Sequence, residues 1–414
     1  MLALTSVASF MVALDGTVVT TALTRIRADL GASLAELEWT INAYALSFAV
    51  LLMAGAAIGD RVGRRRMFVT GIALFTASSA ACALAPGMGW LIAARTVQGA
   101  GAALVMPLAM ALLSAAFAPE QRARALGIFS GVTGLAVLAG PVVGGAIAQG
   151  LAWQWIFWLN VPVGVTAIVL VRAHTDESFG ARTAIDVAGV ALITGAALGL
   201  AWGLVRGNGA GWDSAEVLAS LSAGALLTVA FVAWELRARQ PMLPMRFFAS
   251  RAFASGNAVG FFLYGALYGA IFFVAQFLQI GQGYGPLSTG LRMLPWTATL
   301  FVVAPIAGAR INRIGERPLV VAGLLLQAIG MGWIALIAAP HVAYAALIAP
   351  MALAGAGVSM AMPAAQSAVM RSVAREEVGK AAGTFNMLRF LGGAFAIAVV
   401  SAVFAGSGGY ASAG

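Results

Sequence analysis

The chain has 414 residues, of which 61% are hydrophobic and only 9% charged, with a net charge of +9. A soluble domain of this length carries roughly 25% charged residues, so these few charges cannot cover a water-facing surface, and the solvent for most of the chain is lipid. The arginines sit in short gaps between apolar runs, the pattern of membrane loops, which excludes nucleic acid as a partner. The single cysteine, Cys82, rules out an intrachain disulfide and a cysteine metal cluster. The only histidines, His174 and His341, are far apart in sequence, which argues against a histidine metal site.

The first residues, MLALTSVASFMVALDG, lack a basic n-region and a small-residue cleavage site. They read as a first membrane span, 3–24, rather than a cleaved signal. Asp15 lies in the middle of that span. A carboxyl group there can take up and release a proton as access alternates, or attract a cationic substrate; its structural alternative is a permanent pair with an arginine. A second span, 39–58, leads through the loop GDRVGRRRMF into a third, 67–86. In that loop Asp60 precedes Arg61, Gly63 and Arg64. A short turn holding a carboxylate and guanidiniums can latch onto a neighbouring helix end.

The fourth span, 90–113, carries Arg95 and, three residues on along the same face, Gln98. The pair suggests a polar interior face, the alternative being an arginine that reaches out to the headgroups. The fifth, 123–148, contains Gly140-Pro141-Val142-Val143-Gly144-Gly145. Its small residues permit close helix packing and its proline permits a bend. Spans at 154–171, 184–205, 217–235, 253–280, 289–309, 318–338, 343–369 and 381–404 bring the total to thirteen. The last holds Arg389, about two turns inside its boundary. There a cavity-facing role and snorkelling to the interface compete. Asp186 and Arg292 read as boundary residues.

Arginine placement orients the chain. With the N-terminus in the cytoplasm, the inside loops hold the groups 61–66, 122–124, 237–251, 310–317 and 371–380, together with Arg172 and Arg182. The outside loops hold only Arg25, Arg27 and Arg206. Trp39, Trp90, Trp153 and Trp212 fall near the predicted outer boundaries, where an amphipathic ring is favoured.

The two ends of the chain resemble each other. Asp60-Arg61-Val62-Gly63-Arg64-Arg65 aligns with Asn312-Arg313-Ile314-Gly315-Glu316-Arg317, GAGAALVMP (99–107) with GAGVSMAMP (355–363), and RALGIF (124–129) with KAAGTF (380–385). These matches make a parallel repeat of spans 2–5 and 10–13. The expected organisation is a six-helix bundle over 1–172, an inserted helix pair with cytoplasmic linkers over 173–250, and a second bundle over 251–414. The repeat places a counterpart of span 6 at about 410–427, whereas the sequence closes in GSGGYASAG; a fourteenth helix is therefore expected to be absent from it.

Two function classes compete. A membrane-embedded lipid-modifying enzyme needs a nucleophile with its base, or an acid cluster for a metal, at the membrane edge, and neither is present. ATP as the energy source needs a GxxxxGK[ST] loop, and GQGYG and GNGAG are only glycine-rich fragments. A transporter fits better.

The basic loop after span 2, the Arg95/Gln98/Gly99 element and the Gly-Pro element of span 5 together resemble the major facilitator superfamily. The inserted hairpin and LDGTVV resemble its fourteen-helix drug:proton antiporter branch. So do WQWIFWLNVPVG (153–164), PMLPMRFF (241–248), FLQIGQGYGPLSTGLRMLP (277–295) and NMLRFLGGAFAIAV (386–399). The resemblance implies an all-α polytopic fold of two pseudo-symmetric six-helix bundles rocking about a central cavity. It implies multidrug efflux across a bacterial cytoplasmic (inner) membrane, exporting small lipophilic, often cationic compounds in exchange for protons. A dedicated exporter of one metabolite, such as an antibiotic or siderophore, fits equally. No cofactor is implied beyond the proton gradient. The implied partners are substrate, protons and the lipid bilayer, with a periplasmic adaptor as a further candidate. By the resemblance, Asp15 matches the span-1 acid and Arg95 the coupling arginine, with Gln98 and Arg389 in the same proton and substrate region. Asp60, Arg61, Gly63 and Arg64 match the conformational latch, and Gly140, Pro141, Gly144 and Gly145 the antiporter signature. The chain departs from the family pattern at Thr20, Thr24, Ala56 and Ala136.

Overall fold

In lipid an apolar segment can satisfy its backbone only by forming a helix or a closed barrel, and these runs form helices. The computed structural model describes residues 1–117, 119–180, 185–339, 342–374 and 377–406. Among the described residues the regular structure is entirely helical, and thirteen helical segments are long and apolar enough to cross a bilayer. Spans 1–5 are Leu2–Thr21, Leu34–Val62, Arg64–Ala83, Met88–Ala116 and Gly131–Gly150, and spans 6–8 are Trp155–His174, Val187–Ala210 and Ala215–Arg237. Spans 9–13 are Arg251–Gly281, Pro286–Ile314, Glu316–Ile337, Tyr344–Arg371 and Val378–Phe404. Arg182, His341, Arg375 and the position of a span-6 counterpart lie outside the described residues.

Three local departures from the expected spans have chemical causes. Span 2 starts at Leu34, five residues early, because Ser33 and Glu36 form a reciprocal capping box. Span 6 breaks after the turn Trp155–Trp158 and restarts at Asn160, since Pro162 has no N–H to give the Trp158 carbonyl. Span 10 breaks into Pro286–Arg292, Leu294–Thr297 and Thr299–Ile314, where Pro295 likewise withholds a donor. Span 9 ends in a π turn, Phe277–Gly281. Trp153, expected near the outer boundary, lies beside Asp29 and is buried, its indole donating to Asp29 at 2.7 Å.

Span 1 packs on spans 4, 5 and 6, and spans 2 and 3 pack on span 4. In the second half span 9 packs on 12 and 13, and spans 10 and 11 on 12. The repeat is visible in this packing. Gly101 of span 4 lies against Gly71 and Phe75 of span 3, and Gly357 of span 12 against Gly323 and Gln327 of span 11. The turns after spans 2 and 10 each place a glycine at positive φ, Gly63 at 126° and Gly315 at 88°. The halves meet along spans 2 and 13 and along spans 5 and 10. Spans 7 and 8 pair with each other, and span 7 lies over the seam between spans 2 and 13. Large apolar side chains such as Leu226, Val229, Leu236 and Leu336 project outward, a surface suited to lipid rather than water.

Candidate functional site

Asp15 is the centre of a buried polar network that draws on five spans. Its carboxylate is ion-paired with the Arg95 guanidinium, and both side chains are almost fully buried. Its Oδ1 accepts from Gln98 Nε2 at 3.0 Å and from Asn160 Nδ2 at 2.9 Å. Three donors converging on one carboxylate suit an ionised acid, which has acceptor sites only. Ser79 of span 3 ties the two amides together, accepting from Gln98 at 3.2 Å and from Asn160 at 3.0 Å. Arg95 donates its Nε to the Thr40 carbonyl at 3.2 Å and one Nη to Gln98 Oε1 at 2.7 Å. Its guanidinium carbon lies 4.3 Å from the centre of the Tyr44 ring, a cation–π contact. Arg95 therefore does not snorkel. The sequence reading joined Arg95 to Gln98; the fold adds Asp15, and Asn160 where the break in span 6 presents it.

The Asp60 turn is closed by the linker that follows span 6. Asp60 pairs with Arg64 one helical turn on, at 2.6 Å. Arg61 is exposed, and its side chain makes no hydrogen bond or ion pair with a described residue. The chain that follows span 6 folds over this turn. Ser178 O accepts from Arg64 N at 2.8 Å, and Gly180 N donates to Asp60 O at 3.0 Å. The Glu177 carboxylate accepts from Arg65 N at 2.8 Å and Arg66 N at 3.2 Å, capping the N-terminus of span 3. A side chain at Gly63 would collide with that carboxylate. Glu177→Ala is expected to cost about 1–2 kcal/mol of stability and to speed tryptic cleavage at Arg64–Arg66. Cleavage at the wild-type rate would show that Glu177 does not hold the turn.

The glycines of span 5 face two partners. A Cβ at Gly140 would strike Thr17, and one at Gly144 would strike the Val18 carbonyl, so these two seat span 5 directly on span 1. Gly145 faces the other half of the molecule, where a Cβ would strike the backbone of Pro286 and Leu287. Gly290 returns the contact against the backbone of Pro141 and Val142. Around this crossing Gln279 accepts from Thr24 Oγ1 at 2.5 Å and donates to Thr21 O at 3.0 Å. Val18, Val19, Leu23 and Ile26 pack with Phe272 and Ile397 of the second bundle. The two bundles are thus closed on each other at the end that carries Asp29.

The family model described as the Major Facilitator Superfamily matches residues 5–397 of the chain. The chain belongs to the major facilitator superfamily. Among its relatives, "Multidrug resistance protein Stp" of Mycobacterium tuberculosis is 33% identical over 404 residues, which is 97% of this chain and 75% of Stp. "Tetracenomycin C resistance and export protein" of Streptomyces glaucescens is 34% identical over 403 residues, 97% of this chain and 74% of that protein. The fold is shared with a solved peptide transporter POT, with a TM-score of 0.71 at 16% identity over 97% of this chain and 88% of that one. It is shared too with an inward-facing bacterial homolog of the human lysosomal transporter Spinster, with a TM-score of 0.69 at 17% identity over 98% and 82%. This facilitator is a multi-pass membrane transporter of small molecules and not an enzyme.

The remaining sites of the facilitator lie apart from Asp15. Arg389 donates to the Tyr264 hydroxyl at 3.0 Å and stacks near Phe390, its guanidinium carbon 4.7 Å from that ring centre. Phe390 in turn packs edge-on against Phe48 of span 2 at 4.4 Å. Arg389 thus stands beside the seam between the bundles rather than among headgroups. Arg292 is clamped between Tyr284 and Tyr344, 3.8 and 5.0 Å from their ring centres. Asp186 caps span 7 through Gly189 N at 2.7 Å, a boundary role. Two acids inside spans went unnoticed in the sequence, Glu38 and Glu235, both buried. Glu235 accepts from Leu243 N at 2.9 Å; Glu38 has no such anchor.

Proposed function

We propose that this facilitator is a proton-coupled exporter of small lipophilic, often cationic compounds, working by alternating access in a bacterial cytoplasmic membrane with its N-terminus inside. The observation that carries the reading is the position of Asp15 on span 1. Two and three residues along the same helix, Thr17 and Val18 seat the glycines of span 5. The next glycine, Gly145, seats span 10 of the other bundle. Protonation of Asp15 removes the charge that holds Arg95, Gln98 and Asn160 in place. Taken up from outside after substrate has left, that proton frees span 1 to shift, and the glycine contact passes the shift to the seal between the bundles, which closes. Its release to the cytoplasm rebuilds the network, so proton and substrate cross in opposite directions. The arginine distribution puts the Asp29 end outside, so the closed seal leaves the cavity accessible from the cytoplasm, ready to load substrate. Relatives named for multidrug resistance and for multidrug transport support export of varied compounds. Dedicated export of one product is the second reading, favoured by the relative named for tetracenomycin C export. The fourteen-helix form of the family rests on the inserted hairpin and the internal repeat.

The test is substrate accumulation in inverted membrane vesicles carrying the full-length protein. An imposed pH gradient, acid inside, is expected to drive accumulation, and a protonophore to collapse it. Accumulation that ignores the gradient would overturn the coupling. A panel of cationic, neutral and anionic aromatic compounds separates the two substrate readings.

A further inference from the structure

The seam between spans 2 and 13 is apolar along most of its length. Leu46, Ala49 and Val50 of span 2 pack with Met387, Leu391 and Ala394 of span 13. At the Asp29 end the same helix faces become polar. Glu38 and Asn42 continue the Leu46–Ala49 stripe by steps of three and four residues, and Ser401 continues the Ala394–Ile397 stripe opposite. All three are inside the protein, with exposures of 3% for Glu38, 0% for Asn42 and 3% for Ser401. Their polar groups are poorly served. Neither amide atom of Asn42 has a hydrogen-bond partner, and the Ser401 hydroxyl lies within reach of the Glu38 carboxylate but makes no hydrogen bond of good geometry. Span 7 covers the cluster from outside, through Trp202 packed on Trp39 and Asn208 bonded to the Ala402 carbonyl.

No described residue forms an ion pair with Glu38. Arg95 of span 4 is turned to Asp15 and the Thr40 carbonyl. Arg206 of span 7 is paired with Glu216. Arg389 of span 13 lies three turns along and is bonded to Tyr264. Asp29, on the short helix Leu23–Leu30, takes the Trp153 indole, and Glu36 on span 2 itself caps with Ser33. A carboxylate in this seam would have little water and no counter-charge, a costly arrangement.

We propose that Glu38 is a second proton-binding site of the transporter, a gate that closes the seam between spans 2 and 13 when it carries a proton. On closure the carboxylate takes one proton from the aqueous phase at the Asp29 end and enters the seam as a neutral acid. Asn42 and Ser401 are the groups placed to hydrogen-bond that acid. On opening, the proton returns to the same phase, so Glu38 sets the position of the gate and carries no net charge across the membrane. An acid phase at that end favours the closed, cytoplasm-accessible form, which hastens the return of the empty carrier. The inference rests on the alternating-access reading above, but not on the role of Asp15.

Spin labels at Ala35→Cys and Val403→Cys, in a Cys82→Ala background, report the width of the seam in reconstituted full-length protein. In the otherwise wild-type protein the short-distance population is expected to rise several-fold as pH falls. Glu38→Gln should hold it high at every pH, and Glu38→Asp should restore the pH dependence. A Glu38→Gln variant that titrates like wild type overturns the gate. The same experiment in Asp15→Asn separates the two proton sites. Transport should be lost there while the pH-dependent closure persists; closure that loses its pH dependence with Glu38 intact assigns the proton to Asp15 and refutes the proposal.

Discussion

Asp15→Asn abolishes gradient-driven substrate accumulation in inverted vesicles while the protein still inserts. The substitution keeps the size of the side chain and removes the group that exchanges a proton. It also disturbs a finished network. The carboxylate offers oxygen to Arg95, Gln98 and Asn160 together, whereas an amide has one acceptor oxygen and brings a donor into a ring of donors. Arg95 is left buried without a counter-charge. Breaking such a pair from one side costs about 3–5 kcal/mol, so a lower melting temperature accompanies the loss of transport. The double variant Asp15→Asn/Arg95→Gln separates the two effects. It removes both charges and should recover most of the stability, with no recovery of coupling. Wild-type accumulation by Asp15→Asn under an imposed pH gradient would exclude Asp15 as the coupling acid. Arg95→Lys should retain transport with a shifted pH optimum, because an ammonium keeps the charge but not the planar fork that reaches Asp15, Gln98 and the Thr40 carbonyl at once.

The spans were legible because lipid imposes one simple demand, an apolar helix about 20 residues long, and every predicted span falls on a helical segment, broken near a proline in spans 6 and 10. The site was legible only in part. Arg95 and Gln98 stand three residues apart on one helix, so local periodicity joins them. Asn160 comes from 145 residues beyond Asp15, and no local pattern carries that distance. Its clue was Pro162, which frees the start of the second half of span 6. Glu38 was missed through a boundary. Apolar content alone starts span 2 at Trp39, just past Glu38 and five residues too late, while Ser33 and Glu36 three positions apart spell the capping box that starts it at Leu34. Glu177 lies in an irregular segment, and only the fold shows that it caps span 3. The glycines of span 5 announced close packing, but the partner of each follows from the direction it faces. Thr24, a departure from the family pattern, proves to be the residue that bonds Gln279 across the bundles.

Gly145→Val should stop turnover with little effect on the stability of the first bundle, whereas Gly144→Val should destabilise that bundle as well as stop turnover. The difference lies in what each added side chain would strike. At Gly144 the obstacle is the Val18 carbonyl and the Thr21 side chain, both on span 1 of the same bundle. A branched side chain there pushes spans 1 and 5 apart and strains the helix that holds Asp15. Overpacking of this kind typically costs about 1–3 kcal/mol, read as a fall in melting temperature. At Gly145 the obstacle is the backbone of Pro286 and Leu287 in the other bundle. Backbone cannot rotate away as a flexible side chain does, but two bundles can separate. The variant should therefore fold and fail to seal. Cysteines at Gln149 and Leu287 measure the seal, because Gln149 Oε1 accepts from Leu287 N at 3.2 Å in the closed form. Oxidative cross-linking of that pair should be rapid in a Cys82→Ala background and fall at least tenfold when Gly145→Val is added, a change of about 1.4 kcal/mol if closure is at equilibrium. Gly290→Val, which pushes on the same crossing from span 10, should reproduce the effect. Undiminished cross-linking together with wild-type transport in Gly145→Val would mean that the bundles close without this contact, and the path from Asp15 through the glycines to the seal would have to be abandoned.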